Sequence, residues 1–229
     1  MLGPELNQTL STHALRRHLI KHPFFTRIDT AELSRGQVAT FLGQWWHPLH
    51  YFPVFLSRLI AVAPPIEIKT AVGKILYQEL GEGDVKRAHE VVYVDTMSPH
   101  GWSAEELTAA PPLPATARLV AAYAEASTEL LAGLGFMYGT EVADLAMVSG
   151  IGRAVRRVTD ATRLDWVDIH VLQEPEHVSR ANDSVGYRFT EAENAAILSA
   201  AESMWRHWIA FFDELERQVF ASETVAGAR

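Results

Sequence analysis

The chain has 229 residues, of which 48% are hydrophobic and 21% charged, and its formal net charge is −8. This composition is typical of a globular protein and excludes a largely disordered chain. The acidic balance argues against nucleic acid as a partner, and the lack of a long uninterrupted apolar stretch argues against a membrane. With no cysteine, any metal must be bound by imidazole and carboxylate groups. We therefore expect a soluble, cytoplasmic protein that acts on a small molecule.

Apolar residues recur at helical spacing, and no segment alternates as a strand does. Capping-box patterns at Ser34-x-x-Gln37, Ser103-x-x-Glu106 and Thr190-x-x-Glu193 mark helix starts; Asp29-x-x-Glu32 is an alternative start for the second helix. The predicted helices, in chain order, cover residues 4–22, 29 or 34 to 63, 66–80, 85–97, a short helix from 103, 115–133, 137–159, 162–181 and 190–220.

The predicted fold class is all-α, a single bundle of seven or eight helices over residues 1–220 with a frayed tail at 221–229. A proline cluster at 111–114 is the clearest linker in the sequence. A division into two domains at 110–115 is the alternative, but neither half would have enough helices to close a good core.

The sharpest chemical pattern is His170-x3-Glu174-x2-His177. At about 100° per residue, these side chains lie at about 0°, 40° and −20°, on one face of a helix. That face also carries Trp166 and is otherwise apolar, so burying two imidazoles and a carboxylate there would be costly without a metal. Pro175 removes one backbone hydrogen bond and predicts a kink in this helix. The pattern favours a metal site.

Two other regions offer donors. His89 follows two acidic residues, Glu79 and Glu82, across a turn with two glycines. Glu82 shares a face with His89 in an unbroken helix, whereas Glu79 meets it only if the glycines reshape the turn. Glu141 is a carboxylate in an apolar helix, where a charge is rarely tolerated unless it is paired or bound to metal. The three regions together supply three His and three Glu, about the number that two ions sharing carboxylates need.

These motifs resemble those of the haem-oxygenase-like diiron oxidases and oxygenases, relatives of pyrroloquinoline-quinone synthase and thiaminase, over residues 30–215. The family signature is Glu-x-Gly-x-Gly followed by a His, then Gly-x-x-Tyr-x-x-Glu, then His-x3-Asp-x2-His. Its counterparts here are Glu79-Leu-Gly-Glu-Gly with His89, Gly135-Phe-Met-Tyr-Gly-Thr-Glu141, and His170-x3-Glu174-x2-His177. Glu174 stands where the family has Asp, which can change the bridging and chelating geometry.

The resemblance implies a haem-oxygenase-like bundle that binds two Fe ions, uses O₂ as co-substrate and forms a homodimer. It favours Glu79 over Glu82 as the ligand. The implied metal ligands are Glu79, His89, Glu141, His170, Glu174 and His177.

Members of this family that oxygenate nitrogen have a further Glu ligand in the helix before the first motif. The corresponding stretch, Gln44 to Tyr51, contains no Glu, which weakens the case for N-oxygenation. His47 or His50 is a candidate extra ligand there, the alternative being a hydrogen-bonded core histidine, and Glu82 remains a further candidate.

The leading hypothesis is a non-haem diiron oxidase or oxygenase that activates O₂ to oxidise a small amine, amino acid or fatty acid, in a natural-product pathway. The resemblance implies N-oxygenation, desaturation or oxidative C–C cleavage as outcomes. A metal-free oxidase like pyrroloquinoline-quinone synthase and a helical protein binding haem or another small ligand are the alternatives. A thiaminase-like hydrolase is disfavoured because it needs a cysteine nucleophile. No substrate-binding residue, and no catalytic residue beyond the metal ligands, is assigned.

Overall fold

The computed structural model describes residues 3–171 and 188–221, and within them the chain is helical with no strand. This confirms the all-α class. The helices are α1 (Gly3–Thr12), α2 (Ala14–Ile20), α3 (Pro23–Thr30), α4 (Arg35–Val62), α5 (Ile66–Glu79), α6 (His89–Met97), α7 (Ala104–Thr108), α8 (Pro114–Ala126), α9 (Leu130–Val158), α10 (residues 165–171 of the described chain) and α11 (Glu191–Val219).

The helices outnumber the prediction because the N-terminal region is divided more finely. The expected helix 4–22 breaks at His13, whose imidazole accepts a hydrogen bond from the Leu15 amide and caps α2. His22 caps α3 in the same way through the Phe24 amide. Histidine is not among the strongly preferred N-cap residues, so the sequence pattern did not reveal these two helix starts.

The start of α4 is at Ser34, not at Asp29, because Ser34 and Gln37 form a complete capping box. The helix then continues for 28 residues through Pro48 and Pro53. Each proline lacks a backbone N–H and so removes one hydrogen bond inside the helix. One face of α4 is buried, and it includes Trp45, which contributes to the cavity described below.

Helices α9 and α11 form the most extensive helix pair. Because Gly135 and Gly139 of α9 lie directly against α11, the two backbones approach closely. Among the described helices, α9 alone is long and apolar enough to cross a membrane, and 72% of its most apolar window is buried inside the bundle. It is therefore the core helix of the bundle.

One hydrophobic core extends from Leu6 in α1 to Phe220 after α11. It is rich in aromatic rings, and Phe24, Phe41 and Phe212 meet where α3, α4 and α11 pack together. These contacts fix the framework from which α4, α5, α8, α9, α10 and α11 direct side chains into a single internal cavity.

Candidate metal centre

The turn after α5 brings Glu79 and His89 together. Glu79 is the last residue of α5, His89 is the first of α6, and both are buried. Between them Gly81, Glu82 and Gly83 all have positive φ, which reverses the chain within a few residues. As a result, Glu79 Oε2 lies 3.0 Å from His89 Nδ1. The two glycines therefore reshape this turn, which is the condition under which Glu79 can meet His89.

Glu82 faces away from this pair. Its carboxylate lies 2.9 Å from Arg87 Nη2 in a partly exposed ion pair. Of the two acidic residues that the sequence offered to His89, the structure brings only Glu79 to it.

Glu141 lies in the middle of α9, and only 5% of it is exposed. It lines the same cavity as Glu79 and His170. Asp144, one turn later on α9, also lines this cavity. A carboxylate at this depth requires a proton, a cation or a metal ion to offset its loss of hydration.

His170, which also lines this cavity, is held in a defined orientation. Its Nδ1 lies 2.7 Å from the Trp166 carbonyl oxygen. A carbonyl only accepts hydrogen bonds, so Nδ1 carries the proton and, in neutral imidazole, Nε2 carries the lone pair. The centroid of the His170 ring lies 4.9 Å from the centroid of the His89 ring. Metal-binding histidines commonly use one ring nitrogen for the metal and donate the N–H of the other to a carbonyl in this way.

The cavity enclosed by these groups has a volume of about 50 Å³, enough for a few water-sized molecules. Its described lining residues are Trp45, Pro48, Leu49, Phe52, Glu79, Tyr123, Thr140, Glu141, Asp144, Trp166, His170 and Trp208. Aromatic and aliphatic groups form one side, and carboxylates and imidazole form the other.

The polar groups on the aromatic side are paired with each other. Trp208 Nε1 donates to the Tyr123 hydroxyl over 3.1 Å, and Thr140 Oγ1 donates to the Phe136 carbonyl over 2.8 Å. The Tyr123 hydroxyl therefore donates to Thr140. Burial, the largest cause, raises the pKa of Tyr123 well above its ordinary value. This wall is consequently uncharged.

His47 and His50 do not reach the cavity. His47 Nε2 lies 2.9 Å from the Ala110 carbonyl, and burial lowers the pKa of this histidine. His50 Nδ1 lies 2.6 Å from Glu90 at the surface, and its ring stacks on Trp46. Both histidines line a separate apolar groove between α4 and α8, so neither is placed to be an extra ligand.

Glu174 and His177 lie outside the described residues, so their part of the predicted ligand set stays a prediction. Within residues 3–171 and 188–221, no three His, Asp or Glu side chains already form a group that could hold an ion. Even so, the donors that the structure brings together are imidazoles and carboxylates, the set that suits iron, manganese or zinc. The described residues therefore fit a metal.

Asp144 is a cavity residue that sequence reasoning missed. The signal was present in the spacing Glu141-x-x-Asp144, which places two carboxylates on one helix face. Glu141 was instead treated as a solitary carboxylate.

No curated protein sequence matches this chain. Its fold is similar to that of a CADD-like protein of unknown function from Nostoc punctiforme (TM-score 0.78, 15% identity, covering 96% of this chain and 95% of that one). It is also similar to a domain of unknown function with a haem-oxygenase-like fold from Shewanella denitrificans (0.77, 18%, 96% and 94%). A TenA homologue from Pseudomonas syringae pv. tomato is similar with a TM-score of 0.74 and 15% identity, and the match covers 93% of this chain and 92% of that one.

These similarities confirm the haem-oxygenase-like fold. The family described as iron-containing redox enzymes matches residues 39–209, a range that contains every predicted metal ligand. Because the match covers well over half of the chain, the protein belongs to this family of iron-containing redox enzymes with a haem-oxygenase-like fold.

Proposed function

We propose that this protein is an O₂-dependent non-haem diiron oxidoreductase that oxidises a small amine, amino acid or fatty acid. The clustering of Glu79, His89, Glu141 and His170 carries the proposal: Glu79, Glu141 and His170 line one cavity, and His89 lies beside Glu79 and His170. These four residues come from three separate regions of the sequence, and burying them together is costly without a cation. Membership of an iron-containing redox family supports iron as that cation.

The described residues would hold the metal through His89 and His170 as nitrogen donors and Glu79 and Glu141 as oxygen donors. Glu174 and His177 complete the proposed set from the sequence. When bound, two Fe(II) ions supply electrons for the reduction of O₂. Trp166 fixes the orientation of His170 through its carbonyl oxygen.

The remaining walls control what reaches the site. The rings of Trp45, Phe52, Trp166 and Trp208 give the cavity apolar walls, which would limit the access of bulk water to the reaction. The Tyr123 hydroxyl already donates its proton to Thr140, so towards the cavity it acts as a hydrogen-bond acceptor.

The test compares the iron content of Glu79→Gln and Glu82→Gln after anaerobic loading with Fe(II) and desalting. The two residues are three positions apart, but only Glu79 faces His89. We expect about two irons per chain in the parent protein and in Glu82→Gln. Glu79→Gln loses at least one of them while keeping its helical circular dichroism.

Full iron loading of Glu79→Gln would contradict the assigned ligand, and normal loading of both Glu174→Ala and His177→Ala would contradict the diiron site. If the parent protein takes up no iron, the metal-free oxidase becomes the better explanation. A Soret band after addition of haem would instead indicate a haem-binding protein.

Oxygen consumption by the loaded protein then identifies the substrate class, with amines, amino acids and fatty acids as the panel. We also propose that the enzyme acts in the cytoplasm, in a natural-product pathway, and as a homodimer. The homodimer is supported by the family resemblance and by the surface described in the Discussion.

A further inference from the structure

A second carboxylate on α9 faces the candidate metal centre. Asp144 follows Glu141 by three residues, so both side chains project from the same face of the helix. Both line the cavity, and the Asp144 side chain is 27% exposed compared with 5% for the whole of Glu141. Asp144 thus stands at the edge of the buried site, next to donors already assigned.

The lone-pair nitrogen of His170 is directed towards this carboxylate. Because Nδ1 donates to the Trp166 carbonyl, Nε2 is the atom available to a metal, and it lies 4.0 Å from Asp144 Oδ2. That distance is too long for a hydrogen bond. Two atoms that bind one metal ion through bonds of about 2.0–2.2 Å lie roughly 3–4.4 Å apart, depending on the angle at the metal, and this pair falls within that range.

Glu141 and Asp144 also bring two carboxylates to the cavity, and their negative charge would favour a bound cation. Glu141 and Asp144 are like charges one helical turn apart, an arrangement that destabilises a helix. None of the described residues that line the cavity is a lysine or an arginine. Both carboxylates also act on Tyr123, whose pKa they raise in addition to the larger effect of burial.

We propose that Asp144 is a further oxygen ligand of the metal centre, on the ion that His170 holds. This assignment rests on the proposed diiron function. The α4 residues that line the cavity, Trp45, Pro48, Leu49 and Phe52, have no metal-binding side chain, so the additional carboxylate comes from α9. The centre would then have one more anionic ligand than the sequence motifs indicate, which favours retention of a cation and its more oxidised state.

The test titrates the apo protein anaerobically with Co(II), whose visible absorption reports its ligands, and counts Fe(II) in a parallel series. The variants are Asp144→Asn, which keeps the shape of the side chain, and Asp95→Asn, a matched change at an exposed position of α6. We expect Asp144→Asn to weaken the binding of one ion by at least about tenfold and to change the Co(II) spectrum. Asp95→Asn should reproduce the parent protein in both measurements.

The outcomes separate this proposal from the proposed function. A parent protein that binds no metal overturns both. A parent protein with two bound ions, together with an Asp144→Asn variant of unchanged affinity or unchanged Co(II) spectrum, overturns only the role of Asp144 as a ligand. If apo Asp144→Asn does not fold, as judged by circular dichroism, Asp144→Glu decides. An altered Co(II) spectrum in that folded variant supports the assignment, and the parent spectrum overturns it.

Discussion

His22 shows how a single buried histidine can make the stability of this fold depend on pH. Its Nδ1 accepts a hydrogen bond from the Phe24 amide at the start of α3, and its Nε2 lies 3.2 Å from Asp213 Oδ1. Only the neutral ring with its proton on Nε2 can make both contacts. Burial lowers the pKa of His22 below its ordinary value of 6.5, although Asp213 acts in the opposite direction.

We expect the free energy of unfolding to fall as the pH is lowered through about 6.5, because the unfolded state then binds a proton that the folded state rejects. Urea titrations of the parent protein and of His22→Asn at pH 7.5 and 5.5 measure this. Asparagine can still cap the helix but does not titrate, so the loss between the two pH values should be smaller in the variant. Burial also lowers the pKa of His47 and His207, so part of the loss should remain. An equal loss in both proteins would contradict the role of His22.

At the level of elements, the contact between α9 and α11 depends on the absence of a side chain at Gly135. A Cβ there would lie 2.5 Å from the Ala200 methyl group and 2.9 Å from the Ala201 backbone nitrogen. Backbone atoms of a packed helix cannot move aside cheaply, so the two helices would have to separate.

Gly135→Ala should therefore lower the free energy of unfolding by about 1–3 kcal/mol, the usual cost of overpacking. Gly73→Ala is the matched control, because Gly73 also lies inside a helix but its Cβ would only touch Ile60 Cδ1 at 4.0 Å. We expect that control to be stabilised by about 0.5–1 kcal/mol through helix propensity. Denaturant unfolding measures both changes, and a loss of similar size in the two variants would show that close packing is not the cause.

The elements that the sequence predicted well are those with local signals. The capping boxes at Ser34, Ser103 and Thr190 all formed as expected. The break between α8 and α9 lies at residues 127–129, earlier than the predicted break at 134–136. Gly135 falls in the predicted break, but it lies inside α9 and allows close contact with α11. A close approach between distant segments leaves no local signal that distinguishes it from a chain break.

At the scale of the whole molecule, exposed apolar side chains are concentrated on the outside of α5. Ile66, Tyr77 and Leu80, at or next to the ends of this helix, are 68%, 56% and 50% exposed. At about 100° per residue they fall within about 60° of one another, so they lie along one side of α5, here called the stripe. Exposed apolar side chains on one side of a helix are typical of a protein interface, which supports the proposed homodimer.

Light scattering should accordingly give twice the chain mass of 25.5 kDa. Leu80→Asp places a charge in the stripe and should shift the protein to the monomer, since an unpaired charge in an apolar interface is costly. Thr26→Asp, at an exposed position of α3, serves as the control and should stay dimeric. A monomeric parent protein, or a Leu80→Asp variant that remains fully dimeric, would contradict this interface.

The site was predictable to the extent that its residues share a short motif. Glu79, His89, Glu141 and His170 were all predicted in this way, and the structure brings them close together, while their binding of metal stays a prediction. The position of Asp144 opposite His170 depends on how α9 and α10 pack, and the outward direction of His50 depends on the rotation of α4. Residue spacing alone reveals neither the packing of α9 against α10 nor the rotation of α4, because it shows which residues share a helix face but not what that face contacts.

In the first motif, the glycines of the turn Gly81-Glu82-Gly83 are needed for the conformation of the chain, whereas Glu79 is needed for the proposed metal binding. A side chain at position 81 would meet the Ala88 backbone nitrogen at 2.5 Å and would have to adopt a φ of +81°. The conformation of the turn sets no such requirement on the side chain at position 79. In a library of random variants, selection for folded protein alone would keep Gly81 and let Glu79 vary. Selection for iron uptake would keep both residues, so a comparison of the two libraries separates the positions needed for shape from those needed for chemistry.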